Sequence, residues 1–147
     1  MRKQLLQTDF SRSTILLRLM VGAVFLSEGL QKFLFPEVRG AGRFEKIGFP
    51  QPEFMGNLVG GLEIICGVLI LLGLLTGLAG VPLIIIMVVA LTTTKMEILT
   101  EKGFWEMAHA ARTDWAMLLG SIFLLMKGGG RWSLDNLINA GWTKKTH

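Results

Sequence analysis

Residues 54–94 read FMGNLVGGLEIICGVLILLGLLTGLAGVPLIIIMVVALTTT, a stretch in which Glu63 is the single charged residue. A helix that crosses the hydrocarbon core of a bilayer needs roughly 20 predominantly apolar residues, so this stretch is long enough for two such helices. Thr76 and Gly77 lie near its middle, and a connection this short requires an antiparallel return. We therefore predict two membrane spans, at about 54–75 and 78–94, joined as a hairpin.

A further apolar segment lies on each side of this hairpin. The first, at about 14–35, stops before Pro36, and the second, at about 108–126, stops before three consecutive glycines at 128–130. Proline and clustered glycines are typical of helix ends. We therefore predict four membrane-spanning helices.

The connecting segments mix charged residues with large apolar ones, a composition that is typical of helices lying in the membrane interface. After the glycines, Ser133 is the expected N-cap of a short interfacial helix at about 133–139, with Asp135 near its positive end. The sequence thus predicts an all-α fold, an integral membrane four-helix bundle with interfacial amphipathic segments, forming a single domain over residues 1–147.

Composition supports this class and excludes several others. Hydrophobic residues make up 51% of the chain, and the mean hydropathy is +0.52, so membrane lipid is the expected surrounding. The net charge of +4 comes from basic residues that flank apolar runs, where they act as topology signals, so we expect no nucleic acid partner. The lone Cys66 excludes a C-x-x-C pair within the chain, and two histidines, His109 and His147, offer no metal-binding spacing. We expect no metal and no cofactor in the chain.

The charged residues within the spans lie on defined faces. At about 100° per residue, one arc of the first span and one stripe of the second each combine charges with glycines. The first contains Arg18, Gly22, Phe25, Glu28, Gly29 and Lys32, and the second contains Gly56, Gly60, Glu63, Gly67 and Ile70. A charge at the bilayer centre costs roughly 2.5–3.5 kcal/mol, so both faces are expected to point into the bundle.

Each of these groups has a structural and a functional interpretation. Glu63 is either a hydrogen-bonded packing residue or a proton or ligand site. Glu28 and Lys32 have the spacing of a helical ion pair, which would neutralise them near the interface. Arg18 is expected to extend towards the near headgroups. Gly56-x-x-x-Gly60 suits close helix packing, either within the chain or in a homo-oligomer.

A second group of charged residues is predicted near the two long loops. Lys95 ends the third span, and His109, Arg112 and Asp114 open the fourth, so these side chains are expected around a mouth above Glu28 and Glu63. The candidate ligand or proton-site residues are therefore Glu28, Lys32, Glu63, His109, Arg112 and Asp114, and the candidate structural residues are Arg18, Gly22, Gly56, Gly60, Gly67, Ser133 and Asp135. Because most of them cluster towards one side, a one-sided pocket is favoured over a channel.

Four parts of the chain combine polar residues and glycines in a recognisable order. They are LRLMVG at 17–22 with EGLQK at 28–32, FEKIGFP at 44–50, the run from Leu62-Glu63 to GLLT at 73–76, and GGGRWSLD at 128–135. In their order and spacing, these segments together resemble the DoxX family. The resemblance implies a four-helix protein of the bacterial inner membrane, often described as an oxidoreductase or as a small subunit of a quinone-linked oxidoreductase. It singles out Arg18, Glu28, Lys32, Glu63 and Asp135; distant thiol-oxidoreductase relatives use paired cysteines, which this chain lacks.

These observations leave three functional hypotheses. The first is a quinone-interacting accessory subunit with an apolar slot between spans one, two and four, quinone as its ligand, and a soluble or membrane oxidoreductase as its partner. The alternative is a non-enzymatic scaffold or assembly factor for other membrane or redox proteins. The third hypothesis is a transporter, which would need discontinuous helices, and Pro82 is the only residue that indicates one. Arg2, Lys3 and Arg12 precede the first span, which favours cytoplasmic termini.

Overall fold

The computed structural model describes residues 12–143, all of whose regular elements are helical. Arg2, Lys3 and His147, which the sequence analysis used, lie outside the described residues. The helices are α1 (Thr14–Leu34), α2 (Ala41–Lys46), α3 (Pro52–Leu72), α4 (Thr76–Ala90), a π-helical segment (Leu91–Lys95), α5 (Met96–Lys102), α6 (Phe104–Ala110), α7 (Arg112–Lys127) and α8 (Leu134–Thr143). The predicted all-α membrane fold is confirmed.

Three helical segments of the described chain are long and apolar enough to cross a bilayer: Thr14–Leu34, Pro52–Leu72 and Thr76–Lys102. The third is longer than the predicted 78–94, because the π-helical segment carries the helix on to Lys102. The predicted span at 108–126 is interrupted at Ala111, after which α7 runs for 16 residues, or about 24 Å. That length is shorter than the roughly 30 Å hydrocarbon core of a bilayer. Arg112 and Asp114 lie in the first turn of α7 and shorten its apolar part further.

The bundle is built on a backbone-to-backbone contact between α1 and α3. A Cβ atom on Gly29 would lie 2.8 Å from the Gly60 carbonyl oxygen, and a Cβ atom on Gly67 would lie 3.0 Å from the Gly22 carbonyl oxygen. Glycines spaced seven residues apart on both helices therefore allow the two backbones to touch at two levels. We call this contact the glycine seam (Gly22, Gly29, Gly60 and Gly67).

Gly56, which the sequence placed in the same motif as Gly60, has a different neighbour. A Cβ atom there would lie 2.8 Å from the Ala41 amide nitrogen, so Gly56 gives room for the loop helix α2. Both glycines of the Gly56-x-x-x-Gly60 motif are thus covered from within the chain. The first loop is thereby held against the side of α3.

At the end of the bundle where α1 begins, Arg18 corrects the sequence-based expectation. Its side chain does not extend to headgroups: the residue is 3% exposed and donates four hydrogen bonds to backbone carbonyls. The acceptors are Ile70 and Leu71 at the end of α3, and Gly129 and Trp132 in the turn after α7. A guanidinium group suits this role because its five N–H groups spread in a plane.

Asp135 completes this cluster of buried polar groups in a way that the sequence did not indicate. It lies in the first turn of α8, yet its carboxylate accepts hydrogen bonds from the backbone N–H groups of Leu75 (2.7 Å) and Thr76 (3.1 Å). It therefore caps the N-terminus of α4, where unpaired donors and the helix dipole favour an anion. Ser133 caps α8 itself, since its Oγ accepts a bond from the Asn136 N–H. The segment after α7 thus closes the α3–α4 hairpin.

The glycine seam yields a first prediction. We expect Gly29→Ala to lower the free energy of unfolding by about 1–3 kcal/mol, because its new Cβ atom would force two backbones apart. Gly61→Ala is the matched control on α3, since nothing lies within 4 Å of its Cβ position. Thermal unfolding in detergent compares them, and equal melting temperatures for the two variants would contradict the seam.

The cap on α4 yields a second prediction. Asp135→Ala leaves two buried N–H groups without acceptors, which costs about 1–3 kcal/mol for each group. Asn136→Ala, which removes only a bond to the Arg131 carbonyl at an exposed position, should change stability little. Hydrogen exchange at Leu75 and Thr76 reports the effect directly, and unchanged protection of these amides in Asp135→Ala would show that the cap is unimportant.

Candidate functional site

A cavity of about 530 Å³ lies at the opposite end of the bundle from Arg18, beneath the first long loop. One wall is α1, a second is α3, a third is α4 with its π-helical extension, and α2 and the start of α7 close the rest. The predicted ligand cavity was an apolar slot between spans one, two and four. The structure instead gives the third span the largest share of the lining, through Pro82, Ile85, Ile86, Val89, Ala90 and Thr93.

Lys32 and Glu63 form a buried ion pair in the wall of this cavity. Lys32 Nζ lies 2.6 Å from Glu63 Oε2, and the two side chains are 11% and 3% exposed. The spacing of Glu28 and Lys32 predicted an ion pair within the first helix. In the structure Lys32 is instead paired with Glu63 on α3. A partner within reach of the Lys32 side chain is required because an isolated buried charge costs several kcal/mol.

The glycine seam explains why Lys32 reaches Glu63. The Lys32 Cβ lies only 3.2 Å from the position that a Cβ atom on Gly60 would take, so the lysine stem passes over α3 where α3 has no side chain. Glu63 comes three residues later, almost one turn along the same face. The same glycine that permits the helix contact thus leaves the path for the lysine.

A second ion pair lies at the cavity mouth. Lys95 Nζ is 3.1 Å from Asp114 Oδ2, and both residues line the cavity. Lys95 is the last residue of the π-helical segment, which extends the third span as far as the start of α7. Turns of this kind are wider than α-helical turns and are frequent at functional sites.

The threonines explain why the helix can widen at this point. The hydroxyl groups of Thr92, Thr93 and Thr94 each donate to a carbonyl four residues earlier, at Val88, Val89 and Ala90. These bonds satisfy carbonyl oxygens that the π-helical pattern would otherwise leave less well paired. The widened turn therefore has a local cause in the sequence, although periodicity alone did not reveal it.

The other predicted site residues divide into two groups. Glu28 and Asp114 line the cavity, together with Lys32 and Glu63. His109 and Arg112 lie elsewhere: both are exposed, and Arg112 Nη1 donates to the His109 carbonyl oxygen at 2.7 Å. The turn at Ala111 separates α6 from α7, so His109 does not continue the face on which Asp114 lies.

Sequence reasoning missed two basic residues of the first loop. Arg39 and Arg43 line the loop side of the cavity, and Gly56 is the reason, since it lets α2 pack onto α3. The regular spacing of Pro82, Ile86 and Thr93 on one face of the third span was a signal that could have identified this helix as a cavity wall.

The cavity is also open towards the lipid. On α3, Met55, Leu58, Val59 and Leu62 line it at helical spacing, opposite the lining face of α4. Among these lining residues, Leu58 is 43% exposed, Ile85 58% and Val89 38%. In a membrane this exposed surface faces hydrocarbon, so the cavity has a lateral opening between α3 and α4.

Comparison with known proteins places the chain in a family. The DoxX family model matches residues 13–96, and this chain is a member of the DoxX family of membrane proteins. It is 54% identical over 142 residues to the uncharacterized membrane protein Rv3486 of Mycobacterium tuberculosis, covering 92% of this chain and 87% of that protein. It is 32% identical over 134 residues to a Bacillus subtilis protein named "Putative oxidoreductase CatD", covering 90% and 92%. No solved structure matches.

The buried ion pair yields a third prediction. Lys32→Met leaves Glu63 buried without its partner and should lower the free energy of unfolding by about 3–5 kcal/mol, whereas Lys32→Met with Glu63→Leu should recover most of this loss. Lys95→Met is the comparison, with a smaller expected loss because that pair is more exposed. A double-mutant cycle on thermal unfolding measures the coupling. Additive losses in the double variant would contradict the pairing.

Proposed function

We propose that the cavity binds a membrane quinone and that the protein acts as a quinone-interacting accessory subunit of a membrane oxidoreductase system. The observation that carries this proposal is the Lys32–Glu63 ion pair, set in the wall of an otherwise largely apolar cavity that opens sideways to lipid. A ligand that enters from the hydrocarbon must be apolar over most of its surface. A ligand that uses Lys32 must carry an acceptor oxygen.

The dimensions of the cavity support a ligand of this kind. Small-molecule sites usually have volumes of about 300–1,000 Å³ and combine apolar walls with a few polar groups, and the cavity of about 530 Å³ falls within this range. A quinone ring would suit such a space, and the exposed lining residues Leu58 and Val89 would lie beside its isoprenoid tail. The printed name of the Bacillus subtilis relative, "Putative oxidoreductase CatD", supports a redox role for the family member described here.

The protein groups would bind and orient the ring, and the quinone, when bound, supplies the redox chemistry. Lys32 has three N–H donors, of which one points to Glu63, leaving donors for a ring oxygen. Glu63 holds the ammonium group in place and compensates its charge. The apolar walls exclude water, which strengthens both interactions. Electrons would come from a partner oxidoreductase or from quinol itself.

The proposed location is the bacterial inner membrane, with both termini in the cytoplasm. The start of α1 and the turn after α7 lie at the same end of the bundle, because Arg18 contacts Gly129 and Trp132. Arg12 lies at that end, and Arg2 and Lys3 precede it in the sequence, which favours the cytoplasm for both termini in a bacterial inner membrane. The cavity then lies in the outer half of the bilayer.

A blocked cavity provides a fourth prediction. Val59→Trp places a large side chain in the cavity wall on α3 and should abolish binding of a short-tailed naphthoquinone in a detergent titration. Val68→Trp is the control on the same helix, because Val68 is exposed and lies outside the lining. Lys32→Gln should weaken binding by roughly ten- to hundredfold, the value of a hydrogen bond from a charged donor.

Extraction of lipid-soluble molecules from the native protein completes the test. A quinone-binding protein should carry extractable quinone, which Val59→Trp should lose. Purification without any quinone but with a stoichiometric protein partner would overturn the proposal in favour of a scaffold. Equal naphthoquinone affinity for the wild type, Val59→Trp and Lys32→Gln would do the same.

A further inference from the structure

Seven charged residues line the cavity: Glu28, Lys32, Arg39, Arg43, Glu63, Lys95 and Asp114. Four of them are used in the two ion pairs, Lys32–Glu63 and Lys95–Asp114. Arg39 is exposed at the loop side, and Arg43 is half-buried beside it. Glu28 is therefore an acidic residue of the cavity lining that belongs to neither ion pair.

Within residues 12–143, no cation lies within ion-pair distance of Glu28, and no hydrogen bond reaches its carboxyl group. Glu28 is half-buried, lies one turn before Lys32 on α1, and lines the same cavity as Glu63. A carboxylate is an acceptor only. At this position the cavity therefore offers an acceptor, and a ligand that covers Glu28 without donating to it would leave that acceptor unpaired.

The two redox forms of the proposed ligand differ in this respect. The ring oxygens of a quinone only accept hydrogen bonds, so they suit Lys32 and leave Glu28 without a partner. The hydroxyl groups of a quinol both donate and accept, so one can accept from Lys32 while the other donates to Glu28. Lys32 and Glu28 can thus both hydrogen-bond to the ring only when the ring is reduced.

We infer that Glu28 accepts a hydrogen bond from a hydroxyl group of the bound ring and that the cavity therefore selects quinol over quinone. This inference rests on the proposed quinone site but concerns the redox form that the site prefers. Leaving a buried acceptor unpaired is what makes a polar site reject a ligand that lacks the matching donor. The preference for quinol should be roughly ten- to hundredfold, as expected for a hydrogen bond to a charged group.

The test measures affinity for a short-tailed naphthoquinone and for its reduced quinol by anaerobic calorimetry in detergent. The wild type should bind the quinol more tightly, and Glu28→Met should lose that preference by weakening quinol binding while leaving quinone binding unchanged. Glu97→Met is the matched control, because Glu97 is exposed on α5 and does not line the cavity. Retained quinone binding also shows that the Glu28→Met protein is folded.

The failures of the two proposals are distinguishable. If the wild type binds neither redox form, the quinone site itself is wrong. If the wild type binds both forms equally, or if Glu28→Met leaves quinol affinity unchanged, only the role of Glu28 is overturned. Weaker quinone binding with unchanged quinol binding would also overturn it, since Glu28 would then act as a donor. Loss of both forms in Glu28→Met but not in Glu97→Met would overturn it as well, since Glu28 would then matter equally for the two redox forms.

Discussion

The contact between the backbones of α1 and α3 is the constraint on which the rest of this structure depends. In a membrane, helices gain nothing by moving apolar surface away from water, so they associate through close packing and through polar contacts. Gly22, Gly29, Gly60 and Gly67 supply the close packing. Because the two helices lie so near, Lys32 can reach Glu63 across the seam. The seam thus determines both the stability of the helix pair and the position of the charged group in the cavity.

At the end of the bundle where α1 begins, both buried charged groups have backbone partners. At one end, Arg18 is surrounded by carbonyl oxygens that the ends of α3 and the turn after α7 leave unpaired. Asp135 satisfies the N–H groups at the start of α4 in the same region. A buried guanidinium and a buried carboxylate thus replace the water that would otherwise pair these helix ends. The α3–α4 hairpin is held closed there, while its other end is left free to form a cavity.

Much of this arrangement could be predicted from the sequence, because it depends on composition and helical periodicity. The inward faces carrying Gly22, Gly29 and Glu63 follow from their spacing along each helix, and the structure buries all three residues. The partners of Arg18, Lys32 and Asp135 could not be predicted in this way. They depend on which helices are neighbours and on how far each is shifted along its axis, and a single sequence contains no direct record of either. The turn at Ala111 and the π-helical segment are likewise local departures from a regular α-helix. They are too short to change the hydropathy pattern by which membrane spans are recognised.

The two ends of the bundle also differ in how their buried charges are balanced. An arginine side chain is effectively always protonated in proteins, so Arg18 keeps a permanent charge, and its hydrogen-bond acceptors are neutral backbone carbonyls. Lys32 and Glu63 carry opposite charges within one contact between α1 and α3, so the pair adds no net charge to the cavity wall. At one end of the molecule, buried charges are therefore compensated by backbone dipoles, and at the other by an opposite charge on the neighbouring helix.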